Sequence, residues 1–299
     1  MTNTDCETVN FAVKKYKRMK YSILILFLGL LLPLNGQLLY QITGHNVKTP
    51  SYVLGTHSLI PANAIDSIPG VYRAFRKCNL VLSKYDAFNI ESSNSLRNAS
   101  LLPLNQDIKN VVSDTAAKML DKELKMVLQM GLKELGRLHP VMIKQMYLSE
   151  LAVLATKIKD DVQSDAYFQR IAAAKGLPVF GTEDYDIYIE NVFKKSDVKR
   201  DAMALVGVIR TREGALTYCS QLFRAYKAND LSKLEKIIAQ YPLFSAHKSR
   251  IKPDNHLKDL LNSNSCFYVV DVTDLYGEDN IIEQLKAEGY TVKPYSYRK

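Results

Sequence analysis

Apolar positions follow two patterns along the chain, and together they predict an α/β fold. Short apolar runs at residues 38–43, 51–55 and 79–86, and again at 267–271, have the length and composition of β-strands. Between the two ends, apolar residues recur at intervals of three and four, which is the period of amphipathic helices. We therefore expect a central mixed sheet formed by N-terminal and C-terminal strands, with a mainly helical middle packed on it.

The helical middle can be divided further. The stripe from Leu120 to Leu135 predicts one helix, Pro140 fits the first turn of the next, and Ser164 is placed to cap a third that stops at Gly176. Residues 197–227 read as one long helix. The Ser- and Asn-rich stretch 89–105 has no such period and is predicted to be a loop.

The first 36 residues are set apart from this fold. Five Lys or Arg residues at positions 14–20 precede an apolar run at 21–34, which Pro33 and Gly36 interrupt. A basic segment, a short apolar run and a small residue at its end are typical of a secretory signal peptide, with cleavage near Gly36. The alternative is a single membrane anchor. Met19 would also serve as the start of a well-proportioned signal.

This segment predicts an exported protein of the periplasm or cell envelope, with residues 37–299 as one domain. A membrane-anchored protein is the alternative, and the membrane is then contacted only through the N-terminal segment.

Five basic and two acidic residues stand in the first 36, which leaves +6 of the chain's net charge of +9 on the remainder. That charge is dispersed, so nucleic acid is not an expected partner.

Three cysteines follow the predicted signal: Cys78, Cys219 and Cys266. Their spacing is too wide for a zinc knuckle. One disulfide with a free thiol and three buried reduced cysteines are both compatible with the sequence.

Two turns carry the candidate chemistry. His57 and Ser58 follow Gly55 directly after the second predicted strand, at the carboxyl edge where α/β proteins place their ligands. Asp271 and Asp274 follow the last buried strand in the same way. Each acid also has a purely structural interpretation. Asp271 is compatible with a solvent-exposed strand end, and Asp274 with the start of a helix, where the helix dipole favours a negative charge.

Four segments in order resemble the TraB/GumN family, which includes the Tiki-type metalloproteases. They are "SYVLGTHSLIP", "FRKCNLVLSKYD", "SDAYFQRIAAAKGLPVFGTED" and "FYVVDVTDLYGEDNIIEQLKAEGYTVKPY". The resemblance implies two G-x-x-H motifs and a glutamate that hold a divalent metal for hydrolysis. Gly55, Asp165, Glu183 and Gly277 match the family pattern.

The three metal-binding positions of that pattern are replaced. Ser58 and Asp274 stand at the two histidine positions, and Lys84 stands at the glutamate position. A lysine ammonium has no lone pair for a metal and repels it. The resemblance therefore implies a metal cofactor in the family that is lost here, and no catalytic residue can be carried over.

Three interpretations of the acidic turn remain open. The first is a solvated strand exit. The second is an ion pair between Lys84 and Asp274 across the former site. The third is a rearranged metal site of Asp271 and Asp274, with Asp86 or His57, whose oxygen ligands favour Mg or Ca. The first function hypothesis is a degenerate metallohydrolase that binds a peptide or protein partner in the former cleft. The alternative is an active divalent-metal-dependent peptidase or hydrolase.

Overall fold

The predicted mixed sheet is present, with six strands, in a computed structural model that describes residues 36–44, 47–86, 88–159, 162–245 and 253–295. The strands are β1 (Leu39–Gly44), β2 (Ser51–Thr56), β3 (Leu80–Ser83), β4 (Val179–Gly181), β5 (Cys266–Asp271) and β6 (Tyr290–Pro294). Their order is β4-β3-β5-β2-β1-β6. The predicted signal peptide or anchor at 1–36 lies, up to residue 35, outside the described residues.

Four neighbouring strands, β4, β3, β5 and β2, run parallel, whereas β1 is antiparallel to both β2 and β6. The central strand β5 is a continuous apolar run from Cys266 to Val270, and all five residues are buried. A parallel strand covered on both faces requires this pattern. The pairing of β2 with β5 sets Thr56 opposite Asp271, so the two candidate turns leave the sheet side by side.

Twelve α-helices surround the sheet in the described part of the chain. They are α1 (Val71–Phe75), α2 (Ile90–Ala99), α3 (Asp114–Leu128), α4 (Leu132–Leu135), α5 (Pro140–Thr156), α6 (Ser164–Ala174), α7 (Tyr185–Ile189), α8 (Val198–Arg210), α9 (Arg212–Lys227), α10 (Leu231–Gln240), α11 (Asn255–Ser263) and α12 (Ile281–Ala287). Short 3-10 turns at Ala62–Ser67 and Val272–Leu275 follow the two candidate motifs.

Two stretches that were each predicted to be one helix are divided in two. The stripe from Leu120 to Leu135 is divided by Gln129, which adopts a left-handed φ of 59° and separates α3 from α4. The stretch 197–227 is divided at Thr211, whose hydroxyl donates to the carbonyl of Gly207 at 2.8 Å. That bond satisfies a carbonyl at the end of α8 and so closes the helix.

The predicted loop at 89–105 contains helix α2. Asn89 caps it, because its side-chain oxygen accepts a hydrogen bond from the Ser92 amide at 3.1 Å. None of its residues is buried. A helix without a buried stripe has no apolar period, which is why the sequence pattern missed it.

Cys78, Cys219 and Cys266 are all buried free thiols, so the disulfide considered from the sequence is not formed. Burial raises the pKa of each thiol to about 12. Thiols that resist ionisation are poor nucleophiles and poor metal ligands. None of the described helices is both long and apolar enough to cross a membrane.

Candidate functional site at the carboxyl edge of the sheet

The carboxyl ends of the four parallel strands place their following residues along one edge of the sheet. His57 follows β2, Asp271 ends β5, Lys84 follows β3, and Glu183 comes two residues after β4. The polar side chains of this edge form two groups, one between β2 and β5 and one between β3 and β4. The first we call the histidine cluster and the second the lysine cluster.

The histidine cluster consists of His57, Asp165 and Asp271. Ser164, the first residue of α6, joins α6 to the turn after β2. Its hydroxyl accepts from the His57 amide at 3.1 Å and donates to the His57 carbonyl at 3.0 Å. The predicted N-cap role of Ser164 was therefore wrong, and Gln163 occupies the cap position. These two hydrogen bonds bring Asp165, the next residue, to the edge of the sheet.

His57 is buried and neutral. Its Nδ1 accepts a hydrogen bond from the Leu59 amide at 3.1 Å, which leaves the proton on Nε2. Burial lowers the pKa of the imidazole, and the nearby charge of Asp271 opposes that shift in part. With Nδ1 bonded to the Leu59 amide and the proton on Nε2, this tautomer has no free lone pair for a metal ion.

The two carboxylates of the cluster are close enough to repel each other. Burial and then the charge of Asp271 raise the pKa of Asp165 to about 6. Each carboxylate is held by its own turn: Asp165 Oδ1 accepts from the Ala166 amide at 2.9 Å, and Asp271 Oδ1 accepts from the amide and hydroxyl of Thr273 at 2.8 and 2.6 Å. Both residues are half-buried.

Helix α9 contributes two fully buried tyrosines, Tyr218 and Tyr226. The Tyr226 hydroxyl donates to the Gly55 carbonyl at 3.0 Å, and both carboxylates of the cluster lie within its electrostatic reach. The Tyr218 hydroxyl has no hydrogen-bond partner among the described residues, and it lies within electrostatic reach of Asp271. Ser164 and these tyrosines were not predicted as site residues, because nothing in their local sequence shows that α6 and α9 reach the sheet edge.

The lysine cluster consists of Lys84, Tyr85 and Glu183. Lys84 Nζ lies 3.8 Å from Glu183 Oε2, and the Tyr85 hydroxyl donates to the same oxygen at 2.9 Å. Tyr85 also packs against Tyr185 and Tyr188 of α7, with ring centroids 5.1 and 4.8 Å away. The cluster therefore combines an internal ion pair with an aromatic wall.

The hypothesis of an ion pair between Lys84 and Asp274 was wrong. Asp274 is buried in the turn Val272–Leu275, whereas Lys84 pairs with Glu183 across β3 and β4. Asp184 caps α7, because its side chain accepts a hydrogen bond from the Asp186 amide, and Glu183 before it forms the ion pair.

The remaining predicted residues have structural partners. The Ser58 hydroxyl accepts from the Gln145 amide of α5 at 3.2 Å. Asp86 accepts from the Phe88 amide at 3.0 Å in a local turn. Gly277 adopts a φ of 85°, a conformation that favours glycine. Gly55 lies within β2 and does not have a positive φ.

The family positions do not fit a metal in this chain. Lys84 presents an ammonium, and the Ser58 hydroxyl is bonded to an amide. Within the described ranges, no three His, Cys, Asp or Glu side chains are grouped so that they could hold a metal ion. The histidine cluster instead places two carboxylates near a neutral imidazole. In the lysine cluster, the Lys84 ammonium is paired with the Glu183 carboxylate.

The fold and this edge define an α/β protein whose candidate site lies at the carboxyl ends of parallel strands. The model of the TraB/PrgY/gumN family matches residues 38–294, and the chain belongs to this family. Searches of curated proteins and of solved structures gave no match.

Proposed function

We propose that this chain is an exported, catalytically degenerate relative of metallohydrolases that binds a peptide or protein partner at the carboxyl edge of its sheet. The observation that carries the proposal is the ion pair between Lys84 and Glu183. A metal site cannot tolerate an ammonium at one of its ligand positions, because the ammonium repels the ion and supplies no lone pair. Lys84 is kept in place by Glu183.

The surface beside the lysine cluster supports the binding of a polypeptide. β4 is an edge strand, and an extended peptide can pair with such an edge. Phe180 of β4 is 41% exposed, and Ile187 of α7 is 60% exposed. Phe88 and Ile90, at the start of α2, are exposed as well, and α2 packs against α7. Exposed apolar side chains of this size are typical of interaction surfaces.

The alternative is an active divalent-metal-dependent peptidase or hydrolase with a rearranged acidic site. The histidine cluster is the observation behind this candidate, since it contains an imidazole and two carboxylates, and His57 would have to change its tautomer to bind an ion. It differs from the set His57, Asp271 and Asp274 expected from the sequence, because Asp165 takes the place of Asp274. This function would need the cluster to converge on an ion.

Calorimetric titration with Mn, Co, Zn, Mg and Ca, followed by mass spectrometry of a peptide mixture incubated with each ion, separates the two functions. We expect no ion-dependent cleavage. The triple variant Ser58→His, Lys84→Glu, Asp274→His restores the three family ligand types and is expected to gain metal affinity. Ion-dependent cleavage by the unmodified chain that Asp271→Asn abolishes would overturn the proposal.

A further inference from the structure

An open groove lies between the turn Ala62–Ser67 and helix α6. Its volume is about 430 Å³, which is within the range of sites that hold small molecules. The side chains that matter for its chemistry are Asp66 of the turn, Tyr72 of α1, Tyr167, Arg170 and Ile171 of α6, and Val162 before α6. None of them belongs to the histidine cluster or the lysine cluster, so the groove is a second candidate site.

The groove presents one charge of each sign, from Asp66 on the turn and Arg170 on α6. Both residues are exposed, and in the described part of the chain neither side chain forms an ion pair with the other or with a third residue. A ligand with a single charge would satisfy one of these groups and be repelled by the other. The pair is therefore complementary to a ligand that carries both an ammonium and a carboxylate.

Asp66 is held in place by two tyrosines, although it is exposed. The Tyr72 hydroxyl donates to Asp66 Oδ1, and the Tyr167 hydroxyl lies 3.3 Å from the Tyr72 hydroxyl. Burial, and then the hydrogen bond to Asp66, raise the pKa of Tyr72, so its hydroxyl stays protonated and remains a donor. Asp66 Oδ2 accepts no hydrogen bond from the residues that the structure describes. A carboxylate oriented in this way costs less to order when a ligand binds.

The groove also has an apolar wall. Val162 and Ile171 line it, and both are only half-buried. An apolar ligand group that covers them removes apolar surface from water. The guanidinium of Arg170 has a planar set of donors that matches the two oxygens of a carboxylate, and a primary ammonium is a compact donor for Asp66 Oδ2. The walls and the charges together specify an apolar body with two charged ends.

We propose that this groove binds a small zwitterion, whose ammonium contacts Asp66, whose carboxylate contacts Arg170, and whose apolar side chains pack on the wall of the groove. Short apolar peptides with two free ends and apolar amino acids share this chemistry. The inference goes beyond the proposed function and does not depend on it, because the partner of the sheet edge is proposed to contact other residues.

The test is calorimetric titration of the full chain with the dipeptide leucyl-leucine. The control ligand is acetyl-leucyl-leucinamide, which has the same side chains and no charge. We expect saturable binding of the dipeptide and at least about tenfold weaker binding of the blocked ligand, because two charge-assisted hydrogen bonds are lost. Free leucine is titrated in parallel. Tighter binding of the dipeptide indicates a peptide site, and tighter binding of leucine indicates an amino-acid site.

Two variants assign the two ends of the ligand. Asp66→Asn keeps an oxygen for the Tyr72 hydroxyl, and Arg170→Gln keeps a polar side chain, but each loses its charge. Each is expected to weaken binding of leucyl-leucine about fivefold, as expected for an ion pair in a partly exposed groove. Asp66→Asn should no longer distinguish leucyl-leucine from acetyl-leucyl-leucine. Arg170→Gln should no longer distinguish leucyl-leucine from leucyl-leucinamide.

The matched controls are Asp114→Asn and Arg210→Gln, which make the same chemical changes at exposed helix residues outside the groove. Both should bind leucyl-leucine as the unmodified chain does. Tyr72→Phe removes the donor that orients Asp66 and keeps the ring. It should weaken leucyl-leucine severalfold and leave acetyl-leucyl-leucine unchanged, because that ligand has no ammonium for Asp66.

Three results would overturn the inference. The first is the absence of binding by both leucyl-leucine and leucine at millimolar concentration. The second is equal affinity for leucyl-leucine and the blocked ligand, which would mean that the charges play no part. The third is unchanged affinity for leucyl-leucine in both Asp66→Asn and Arg170→Gln, which would place the ligand elsewhere. None of these results bears on metal-dependent cleavage, so this inference and the proposed function can fail separately.

Discussion

Gly55 of β2 faces Leu275 so closely that a Cβ atom at position 55 would lie 2.4 Å from Leu275 Cδ1 and 3.3 Å from Cγ. Leu275 is buried at the end of the turn Val272–Leu275. The two candidate motifs are therefore packed against each other through a glycine and a leucine. The missing side chain of Gly55 lets Leu275 pack directly on the backbone of β2. This contact holds the acidic turn beside β2.

Gly55→Ala is expected to destabilise the protein by about 1–3 kcal/mol, because an added methyl group must displace a buried leucine in a packed core. The free energy of unfolding from urea titration measures this effect. Leu275→Val should relieve part of the clash, so the double variant should lose less than the sum of the single variants.

Gly207→Ala is the control for that prediction. Gly207 lies within α8, where its Cβ would meet Leu243 at an ordinary 3.5 Å. Alanine in a helix interior is favoured over glycine by about 1 kcal/mol. The same chemical change should therefore stabilise the protein at 207. Equal effects of both substitutions would contradict the role given to Gly55.

The partner of Lys84 can be tested by a double-mutant cycle. Lys84→Met with Glu183→Gln should show a coupling energy of about 0.5–1 kcal/mol, since the two side chains are only about a quarter exposed. Lys84→Met with Asp274→Asn should show coupling close to zero. Stability measured by urea titration at low ionic strength gives both values. Strong coupling to Asp274 and none to Glu183 would favour the ion pair first inferred from the sequence.

The two buried tyrosines of α9 give a matched pair of substitutions. Tyr226→Phe removes the donor to the Gly55 carbonyl and should cost about 1–3 kcal/mol, because a buried acceptor is left without its bond. Tyr218→Phe removes a hydroxyl without a described partner and should leave stability unchanged or raise it. Thermal unfolding measures both. A loss at Tyr218 as large as that at Tyr226 would mean that its hydroxyl already has a structural partner.

The sheet was predictable because its strands are marked by local sequence. Residues 51–55 and 267–271 are short apolar runs, and a parallel strand covered on both faces needs such a run. Their adjacency followed from the assumption that both ends of the chain share one sheet. The pairing of Thr56 with Asp271 then places the candidate turns together, as the resemblance implied.

The contacts of the site were less predictable, because they depend on pairings distant in sequence. Lys84 meets Glu183 only because β3 and β4 are neighbours, and β4 is three residues long. Asp165 reaches Asp271 only because Ser164 bonds the backbone of His57. Neither the strand order nor that serine bond leaves a periodic signal in the sequence.

Asp165→Asn should change stability in a way that depends on pH. The pKa of Asp165 is raised from 3.8 to about 6, so between these values the folded state binds more protons than the unfolded state. The free energy of unfolding contributed by this group therefore falls as pH rises from about 4 to about 6, by as much as about 3 kcal/mol. Asparagine does not titrate and keeps an oxygen for the Ala166 amide.

We therefore expect Asp165→Asn to be close to the unmodified protein in stability at pH 4 and clearly more stable at pH 7, as measured by urea titration at both values. The titration of His57 is common to both proteins and largely cancels in the difference. Asp271→Asn should give a gain of the same sign, since it removes the charge that repels Asp165. A difference that stays constant from pH 4 to pH 7 would show that Asp165 keeps an ordinary pKa, and that the two carboxylates do not share a pocket.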